Sequence, residues 1–231
     1  GTRRENAGFH SGTGRESGCL MKLVDRYRPG SWADVIGQPD AVKTCQHLIR
    51  RGLGGRAVWL SGLSGTGKTT LAMLLARELA DDFGIDEIDA TTLKVSDLVE
   101  LERSLAFRGF GKGGRAVIIN EAHGLRQDAI RVLLVFLERL PVHSLVIFTT
   151  TLDGEDKLED CPDAGPLLSR CSRIRLAQQG LAKPFAARAQ EIARAEGLDG
   201  QPMEKYVKLA QKHKNNMRAM LQEIDDGGMM S

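Results

Sequence analysis

The feature that most constrains the fold is the run Gly62-Leu63-Ser64-Gly65-Thr66-Gly67-Lys68-Thr69, which fits the pattern G-x-x-x-x-G-K-[ST] without mismatch. A short apolar run at 57–60 precedes it, and a helical pattern over 68–80 follows it. Glycines at this spacing let consecutive backbone N–H groups turn inward and hold phosphate oxygens, and the start of the helix adds partial positive charge. The alternative, a chance glycine-rich turn, does not explain the correct flanking elements. The motif therefore predicts a nucleotide phosphate-binding loop.

Within this loop each residue type has an expected task. The Lys68 ammonium is expected to contact β- and γ-phosphate oxygens and to assist catalysis, and the Thr69 hydroxyl suits a Mg²⁺ ligand. ATP and Mg²⁺ are therefore the predicted cofactors. The residues predicted to contact the nucleotide here are Gly62, Ser64, Gly65, Thr66, Gly67, Lys68, Thr69 and Thr70.

Apolar runs alternate with helical patterns along the chain. Buried strands are predicted at 57–60, 116–119, 145–148 and 174–176, and helices at 40–51, 68–80, 96–106 (with Ser96 as N-cap) and 127–140. Continuous apolar strands between helices indicate a parallel sheet covered on both faces. Three short helices, 183–196, 202–213 and 215–225, follow without further strand signal.

This pattern predicts an α/β fold with a parallel sheet covered by helices, followed by a small three-helix lid domain. The expected division is a flexible tail at 1–20, a nucleotide-binding α/β domain at 21–176 and the helical lid at 177–231, with the boundary near 177–182. The tail prediction rests on Gly, Ser, Thr and charged residues with few apolar ones.

Composition excludes several classes of protein. Hydrophobic residues make up 42% and charged residues 27%, which is ordinary for a globular chain, and the net charge of +2 is too small for a polycation that coats nucleic acid. No apolar run approaches the ~18 residues that cross a bilayer, so no membrane partner is expected. None of the four cysteines forms a CxxC pair. The expected location is intracellular: cytoplasmic or nucleoid-associated, or nuclear in a eukaryote.

A second candidate site residue pair follows the apolar run 117–119. Nucleotide hydrolysis of this kind needs one carboxylate near Mg²⁺ and one that activates water, at the end of a neighbouring strand. Here Asn120 stands where the first carboxylate is expected, and Glu121 is the candidate for activating water. An amide can still hydrogen-bond a Mg²⁺-bound water but lacks the charge, so we expect weaker Mg²⁺ dependence or slower turnover. The alternative is a chain that binds ATP without hydrolysing it.

Four further segments give the chain a resemblance to AAA+ ATPases of the DNA clamp-loader type, the class of replication factor C small subunits and bacterial DNA polymerase III gamma. They are Arg26-Tyr27-Arg28-Pro29 with Val35-Ile36-Gly37-Gln38, then Thr149-Thr150-Thr151, Leu168-Ser169-Arg170-Cys171 and Asn215-Asn216-Met217-Arg218. Together with the phosphate loop they span residues 24–224 in the order found in that family. Clamp loaders also carry a C-terminal collar domain, and the bacterial type a cysteine zinc module, and neither has a counterpart in these 231 residues.

The resemblance implies a role for each segment. Arg28, Pro29, Ile36 and Gly37 would lie beside the adenine, and Thr150 would be the sensor 1 residue between the acidic strand end and the γ-phosphate. The resemblance further implies that Arg218 acts on the phosphates in cis (sensor 2) and that Arg170 reaches the neighbouring subunit's ATP site in trans.

The resemblance therefore implies an ATP-binding and ATP-hydrolysing subunit of a homo- or hetero-oligomeric, DNA-linked motor, with a sliding clamp or replication protein as a possible partner. Two alternatives stay open: a branch-migration helicase or helicase-loader type AAA+ motor, and a nucleotide-binding regulatory subunit with weak or no hydrolysis. A glycine-rich basic segment with Arg108, Lys112 and Arg115 is a candidate for non-specific contact with the DNA backbone, and a solvated hairpin is the alternative.

Overall fold

A computed structural model describes residues 21–109, 111–151, 156 and 163–230. The predicted tail at 1–20 lies outside the described residues. In chain order the elements are α1 Leu23–Arg26, α2 Pro39–Arg50, β1 Arg56–Ser61, α3 Lys68–Leu79, β2 Ile85–Asp89, α4 Val95–Ala106, β3 Arg115–Asn120, α5 Gln127–Glu138, β4 Ser144–Thr150, α6 Ala164–Ser169, β5 Cys171–Arg175, α7 Ala182–Ala195, α8 Met203–Lys212 and α9 Met217–Asp225.

The strands of the described chain form one five-stranded sheet in the order β2-β3-β4-β1-β5, and every neighbouring pair is parallel. The central strands are apolar on both faces because helices cover both sides of the sheet. The parallel sheet predicted from the alternating apolar runs is thereby confirmed. Because the strands are parallel, their carboxyl ends lie on the same side of the sheet, and the loops after β1, β3 and β4 meet there.

Each sheet face has its own core. On one face α4, α5 and α6 pack on Trp59, Val117 and Phe148, and on the other α2 and α3 pack on Val58, Leu60 and Ile118. Neighbouring side chains along a strand therefore belong to different cores, as the two-residue period of a strand requires. This alternation determines which polar side chains at the strand ends face α3 and the phosphate loop.

The strand β2 is the element that the sequence analysis missed. Its sequence, Ile-Asp-Glu-Ile-Asp, has too few apolar residues to indicate a buried strand. It lies at the edge of the sheet, where β3 is its only partner among the described strands. The edge position leaves Glu87 and Asp89 exposed. Charged residues are common on such edge strands.

A third core joins the two ends of the described chain. The helices α7, α8 and α9 pack around Phe185, Tyr206 and Leu221, and the buried Leu23 of α1 packs into the same cluster. The start of the predicted 21–176 domain thus shares its core with the helices after residue 177. The division into domains itself stays a prediction.

The boundary of α4 differs from the expected one. The helix begins at Val95, so Ser96 lies inside its first turn and is not the N-cap. Instead, the Asp97 side chain accepts a 2.9 Å hydrogen bond from the backbone N–H of Lys94 and closes the helix start from within. In the part of the chain that the structure describes, every helix is too short or too polar to cross a membrane.

Candidate nucleotide site

The loop between β1 and α3 has the backbone geometry of an anion cradle. Gly65 and Gly67 both have positive φ, +72° and +105°, which lets the chain curl back on itself before α3 begins at Lys68. The Thr66 hydroxyl donates to the Leu63 carbonyl at 2.7 Å and holds the curl. The N-terminus of α3 therefore points into a pocket lined by Ser64, Gly65, Thr66, Gly67, Lys68, Thr69 and Thr70.

The Lys68 ammonium lies at the base of this loop. It donates to the carbonyls of Gly62 and Leu63, both at 3.0 Å, and the residue is only 8% exposed. Burial lowers the pKa of Lys68, the Glu121 carboxylate raises it, and the Arg218 guanidinium lowers it again. Two cations beside one helix start make the pocket electropositive, which favours an anionic ligand.

The acidic strand end contributes Glu121 directly. This residue follows β3 with φ of 51°, a left-handed conformation that is unusual outside glycine, and its side chain lines the pocket beside Lys68. Backbone strain of this kind collects at functional sites. Glu121 therefore shares the pocket with Lys68, and its role in activating water stays a prediction.

Asn120 does not line the pocket but reaches it through Thr149. Its side-chain oxygen accepts a 2.7 Å hydrogen bond from the Thr149 hydroxyl, and its side-chain nitrogen donates to Glu87 at 2.6 Å. Thr149 does line the pocket. Asn120 is thus positioned behind the pocket wall, between the strands β2 and β4.

Of the three-threonine run, Thr149 lines the pocket, whereas Thr150, the predicted sensor 1 residue, does not. Thr149 lies on the sheet face of α3 and the phosphate loop, whereas Thr150 lies on the opposite face, where His123 Nδ1 is 3.1 Å from its hydroxyl. The resemblance located the three-threonine run but could not fix which member faces the nucleotide. The sheet register separates the two side chains, because neighbours in a strand face opposite sides. The sensor role itself stays a prediction.

The predicted adenine side is assembled from α1 and the turn after it. Arg28, Pro29 and Ile36 line the pocket, but Gly37 does not. A Cβ at Gly37 would come within 2.8 Å of the Leu181 side chain, so this glycine allows close packing of the helices behind the wall. Similarly, Gly62 is outside the pocket lining, and a Cβ there would come within 2.9 Å of Leu176 Cβ.

Several pocket residues were not among the predicted site residues, although Tyr27, Val35 and Met217 belong to the quoted segments. They are Val24, Tyr27, Asp34, Val35, Phe185, Arg188, Ile192, Met217 and Leu221. Tyr27 is held by a hydrogen bond from its hydroxyl to Glu196, which also pairs with Arg26 at 2.6 Å. Glu196 follows α7, so the wall formed by α1 is tied to the helical part of the molecule.

Two contacts join the phosphate loop to the helical part. The buried Gln38 amide donates to the carbonyls of Thr66 and Ala177, both at 3.3 Å, and accepts from the Ala177 N–H at 2.7 Å. At the other side of the loop the backbone N–H of Met217 donates to the Gly65 carbonyl at 3.2 Å. The loop is therefore held from two directions.

The two predicted arginines have different positions. Arg218, the second residue of α9, lines the pocket together with Lys68. Arg170 does not line the pocket of its own chain. Its guanidinium pairs with Glu138 and donates to the Pro166 carbonyl at 2.9 Å. A residue meant for a neighbouring subunit's site has to lie outside its own, and an intramolecular ion pair is the alternative use of the same side chain.

The candidate DNA-contact residues are engaged within the chain. Lys112 donates to the Arg77 carbonyl at 2.6 Å, and Arg115 bonds Asp86 and Ser104, both at 3.2 Å. The segment leads into the amino end of β3, whereas the pocket lies at the carboxyl ends of the strands. Arg108 and Lys112 are exposed, and Arg115 is half-buried. Contact with DNA through this segment stays a prediction.

The residues present fit a nucleoside triphosphate with Mg²⁺. A backbone cradle, a lysine and a second cation suit the phosphates, Thr69 supplies a hydroxyl for the metal, and the apolar wall of Val35, Ile36 and Leu221 suits a base. Mg²⁺ in such sites is held by one or two side chains together with the substrate phosphates.

Comparison with known proteins agrees with this geometry. The family model described as the TIP49 P-loop domain matches residues 21–106. The chain is 31% identical over 182 residues to a replication factor C small subunit of Halobacterium salinarum, covering 76% of this chain and 53% of that protein. It is 30% identical over 177 residues to a DNA polymerase III subunit gamma of Buchnera aphidicola, covering 67% and 46% respectively. The chain thus spans about half the length of these relatives.

Among solved structures, a mutant of Thermotoga maritima RuvB superposes with a TM-score of 0.68 at 22% identity, covering 86% of this chain and 64% of that one. At this identity the likeness speaks for the fold alone. The fold is that of the P-loop AAA+ proteins. In sequence the chain is similar to replication factor C small subunits and to DNA polymerase III gamma subunits.

Proposed function

We propose that this chain binds ATP with Mg²⁺ and hydrolyses it as one subunit of an oligomeric, clamp-loader-like AAA+ assembly that works on DNA. The observation that carries the proposal is the convergence of Lys68, Glu121, Thr149 and Arg218 on one pocket beside the helix start of α3. Cations on two sides and a carboxylate that can activate water suit a transition state with negative charge spread over the phosphoryl oxygens. The similarity to replication proteins supports the link to DNA.

In this proposal each side chain has a defined task. Lys68 and Arg218 attract and orient the phosphates, and Thr69 holds the metal, which neutralises phosphate charge when bound. Glu121 accepts a proton from the attacking water. Arg170 would complete the charge stabilisation only when a neighbouring subunit presents it, so that hydrolysis depends on assembly.

The test of hydrolysis is a steady-state ATPase assay with and without primed DNA, on wild type and Glu121→Gln. We expect the variant to bind ATP with unchanged affinity while turnover falls by about 100-fold or more, because an amide cannot act as a general base. Glu100→Gln, an exposed α4 substitution, is the matched control and should behave as wild type. Equal turnover in all three proteins would exclude Glu121 from the chemistry.

A second candidate is a regulatory subunit whose ATP only controls assembly, and the observation favouring it is Asn120 at the position of an expected carboxylate. ATP binding without turnover under any condition would support it. The trans role of Arg170 is tested with Arg170→Ala against Glu138→Gln in the assembled complex. Arg170→Ala removes the guanidinium, whereas Glu138→Gln removes only its ion pair with Glu138 and keeps the guanidinium. Loss of turnover in the first variant alone supports the trans role, and unchanged turnover in both rejects it.

A further inference from the structure

The side-chain amide of Asn120 hydrogen-bonds Glu87, a residue outside the phosphate loop and the pocket. Its nitrogen donates to Glu87 Oε1 at 2.6 Å, while its oxygen accepts from the Thr149 hydroxyl at 2.7 Å. Glu87 lies on β2, the edge strand, where it pairs in register with Ile118 of β3. The three polar side chains thus form a row across the strands β2, β3 and β4, ending at the pocket wall.

The chemistry of the row fixes the direction of every hydrogen bond in it. An ionised carboxylate only accepts, so the amide nitrogen of Asn120 has to face Glu87 and its oxygen has to face Thr149. The Thr149 hydroxyl then donates its proton to the Asn120 oxygen. The lone pairs of the hydroxyl are left to accept hydrogen bonds from the pocket. Without the carboxylate the amide could rotate by half a turn and reverse the whole row.

The row also brings a negative charge, that of the Glu87 carboxylate, next to the neutral Asn120 at the end of β3. Asn120 is neutral, but the carboxylate of Glu87 is in direct contact with it, one strand further from the pocket. Hydrogen bonds with an ionised partner are shorter and stronger than neutral ones. Glu87 does not line the pocket, so any effect on the nucleotide has to pass through Asn120 and Thr149.

We propose that Glu87 is a positioning residue of the Mg²⁺–nucleotide site: it holds the Asn120 amide in the orientation that serves Thr149 and supplies the negative charge that Asn120 does not carry. The inference rests on the proposed ATP binding and deepens it. It assigns a role to the amide at the end of β3, where a carboxylate is expected.

The pair can be tested without nucleotide by exchanging its two groups. Asn120→Asp places two carboxylates against each other and should lower the midpoint of thermal unfolding of the apo protein. Adding Glu87→Gln should reverse that loss, because the introduced amide donates to the introduced carboxylate. Additive changes, with the double variant less stable than Asn120→Asp, would overturn the proposed contact.

Its role at the metal is tested by Glu87→Ala, with Glu100→Gln as control, by titrating Mg²⁺ into a fixed mixture of protein and fluorescent ADP analogue. Outer partners of metal sites typically change metal affinity by about 10–100-fold, so we expect about tenfold more Mg²⁺ to be needed for half-maximal binding. Glu87→Gln keeps a hydrogen-bonding group without charge and should fall in between. An unchanged Mg²⁺ requirement in Glu87→Ala, with ADP binding intact, would overturn the positioning role.

The two tests keep the inference separate from the proposed function. The stability exchange needs no ATP, so it judges the Glu87–Asn120 contact even if wild type fails to bind nucleotide. Wild-type binding with an additive exchange would reject the contact and leave ATP binding standing.

Discussion

The two halves of the nucleotide pocket are built in different ways. The phosphate half comes from one continuous loop and from the ends of neighbouring parallel strands, with Lys68, Glu121 and Thr149 as its reactive groups. The other half combines α1 and the turn after it with residues of α7 and α9, which are more than 140 positions further along the chain. The first is fixed by local backbone geometry, and the second by packing in a core shared between the chain's ends.

This difference means that the phosphate half should survive changes in the helical part better than the reverse. Among the described residues, the halves meet where Gly65 contacts the start of α9 and at the Gln38 amide. The link from Tyr27 to Glu196 joins the α1 side of the second half to its α7 side. Each contact can be weakened alone. The resulting loss of stability or affinity measures how far nucleotide binding depends on joining the halves.

The largest effect is expected for Gly65→Ala. A Cβ at this position would be 1.8 Å from Asn216 Oδ1 and 3.0 Å from Asn216 Cα, and the residue has a φ of +72°. Relieving the clash requires the Asn216 side chain to turn away, which breaks its cap hydrogen bond with the Ala219 N–H, and requires a small shift of the Asn216 backbone. With the strain of the positive φ, we expect a loss of about 3 kcal/mol in the free energy of unfolding. ATP affinity should fall with it. Denaturant unfolding and calorimetric ATP titration measure the two effects.

The control for this variant is Gly67→Ala in the same loop. Gly67 also has positive φ, +105°, but a Cβ there would meet nothing within 4 Å. It therefore reports backbone strain without a clash between the halves, at about 1–2 kcal/mol. Equal losses in both variants would contradict a tight contact between the loop and α9.

An intermediate effect is expected for Gln38→Met. The change removes three hydrogen bonds of the buried Gln38 amide. At a net contribution of about 0.5–1.5 kcal/mol for each bond, we expect a loss of about 1–3 kcal/mol in the free energy of unfolding. ATP affinity should fall as well, because Thr66 loses its support from the linker. Gln211→Met, on the exposed face of α8, is the matched control. Unchanged stability in Gln38→Met would show that the halves are held by other contacts.

The smallest effect is expected for Tyr27→Phe, and it should depend on pH. The hydrogen bond from Tyr27, followed by Arg26, lowers the pKa of Glu196 below its ordinary value of 4.5. A lowered carboxyl pKa stabilises the fold above pH 4.5, and this contribution is lost as the pH falls through the folded-state value. Wild type should therefore be more stable than the variant at pH 7, with a difference that shrinks toward pH 3 in thermal unfolding scans. A pH-independent difference would exclude Glu196 as its source.

The phosphate half could largely be predicted from the sequence, for a physical reason. A loop such as 62–69 has its function in its own backbone, so its residue types and flanking elements are sufficient to locate it. The same holds for the parallel sheet, which follows from apolar strands between helices. The positions of Thr149 and Thr150 could not be separated this way, because the side of the sheet that a residue faces depends on the register of β4 with its neighbours.

The other half shows where local patterns stop being informative. Nothing in the sequence of α1 indicates that Leu23 packs among helices some 160 residues away, or that Tyr27 hydrogen-bonds Glu196. The strand β2 was missed because its two apolar residues, Ile85 and Ile88, are three positions apart and show no strand period. The contact from Glu87 to Asn120 was missed with it. Long-range packing and an edge strand have no signature in a short window.

The most direct test of the account is a calorimetric titration of ATP into wild type, Lys68→Ala and Lys208→Ala, the last being an exposed lysine on α8. The buried ammonium of Lys68 is the cation nearest the loop carbonyls, and hydrogen bonds with charged groups contribute about 1.5–3 kcal/mol. We therefore predict that wild type and Lys208→Ala bind ATP alike and that Lys68→Ala binds about 10- to 100-fold more weakly. A wild-type protein without affinity for ATP or ADP, unaffected by the Lys68 change, would contradict the account.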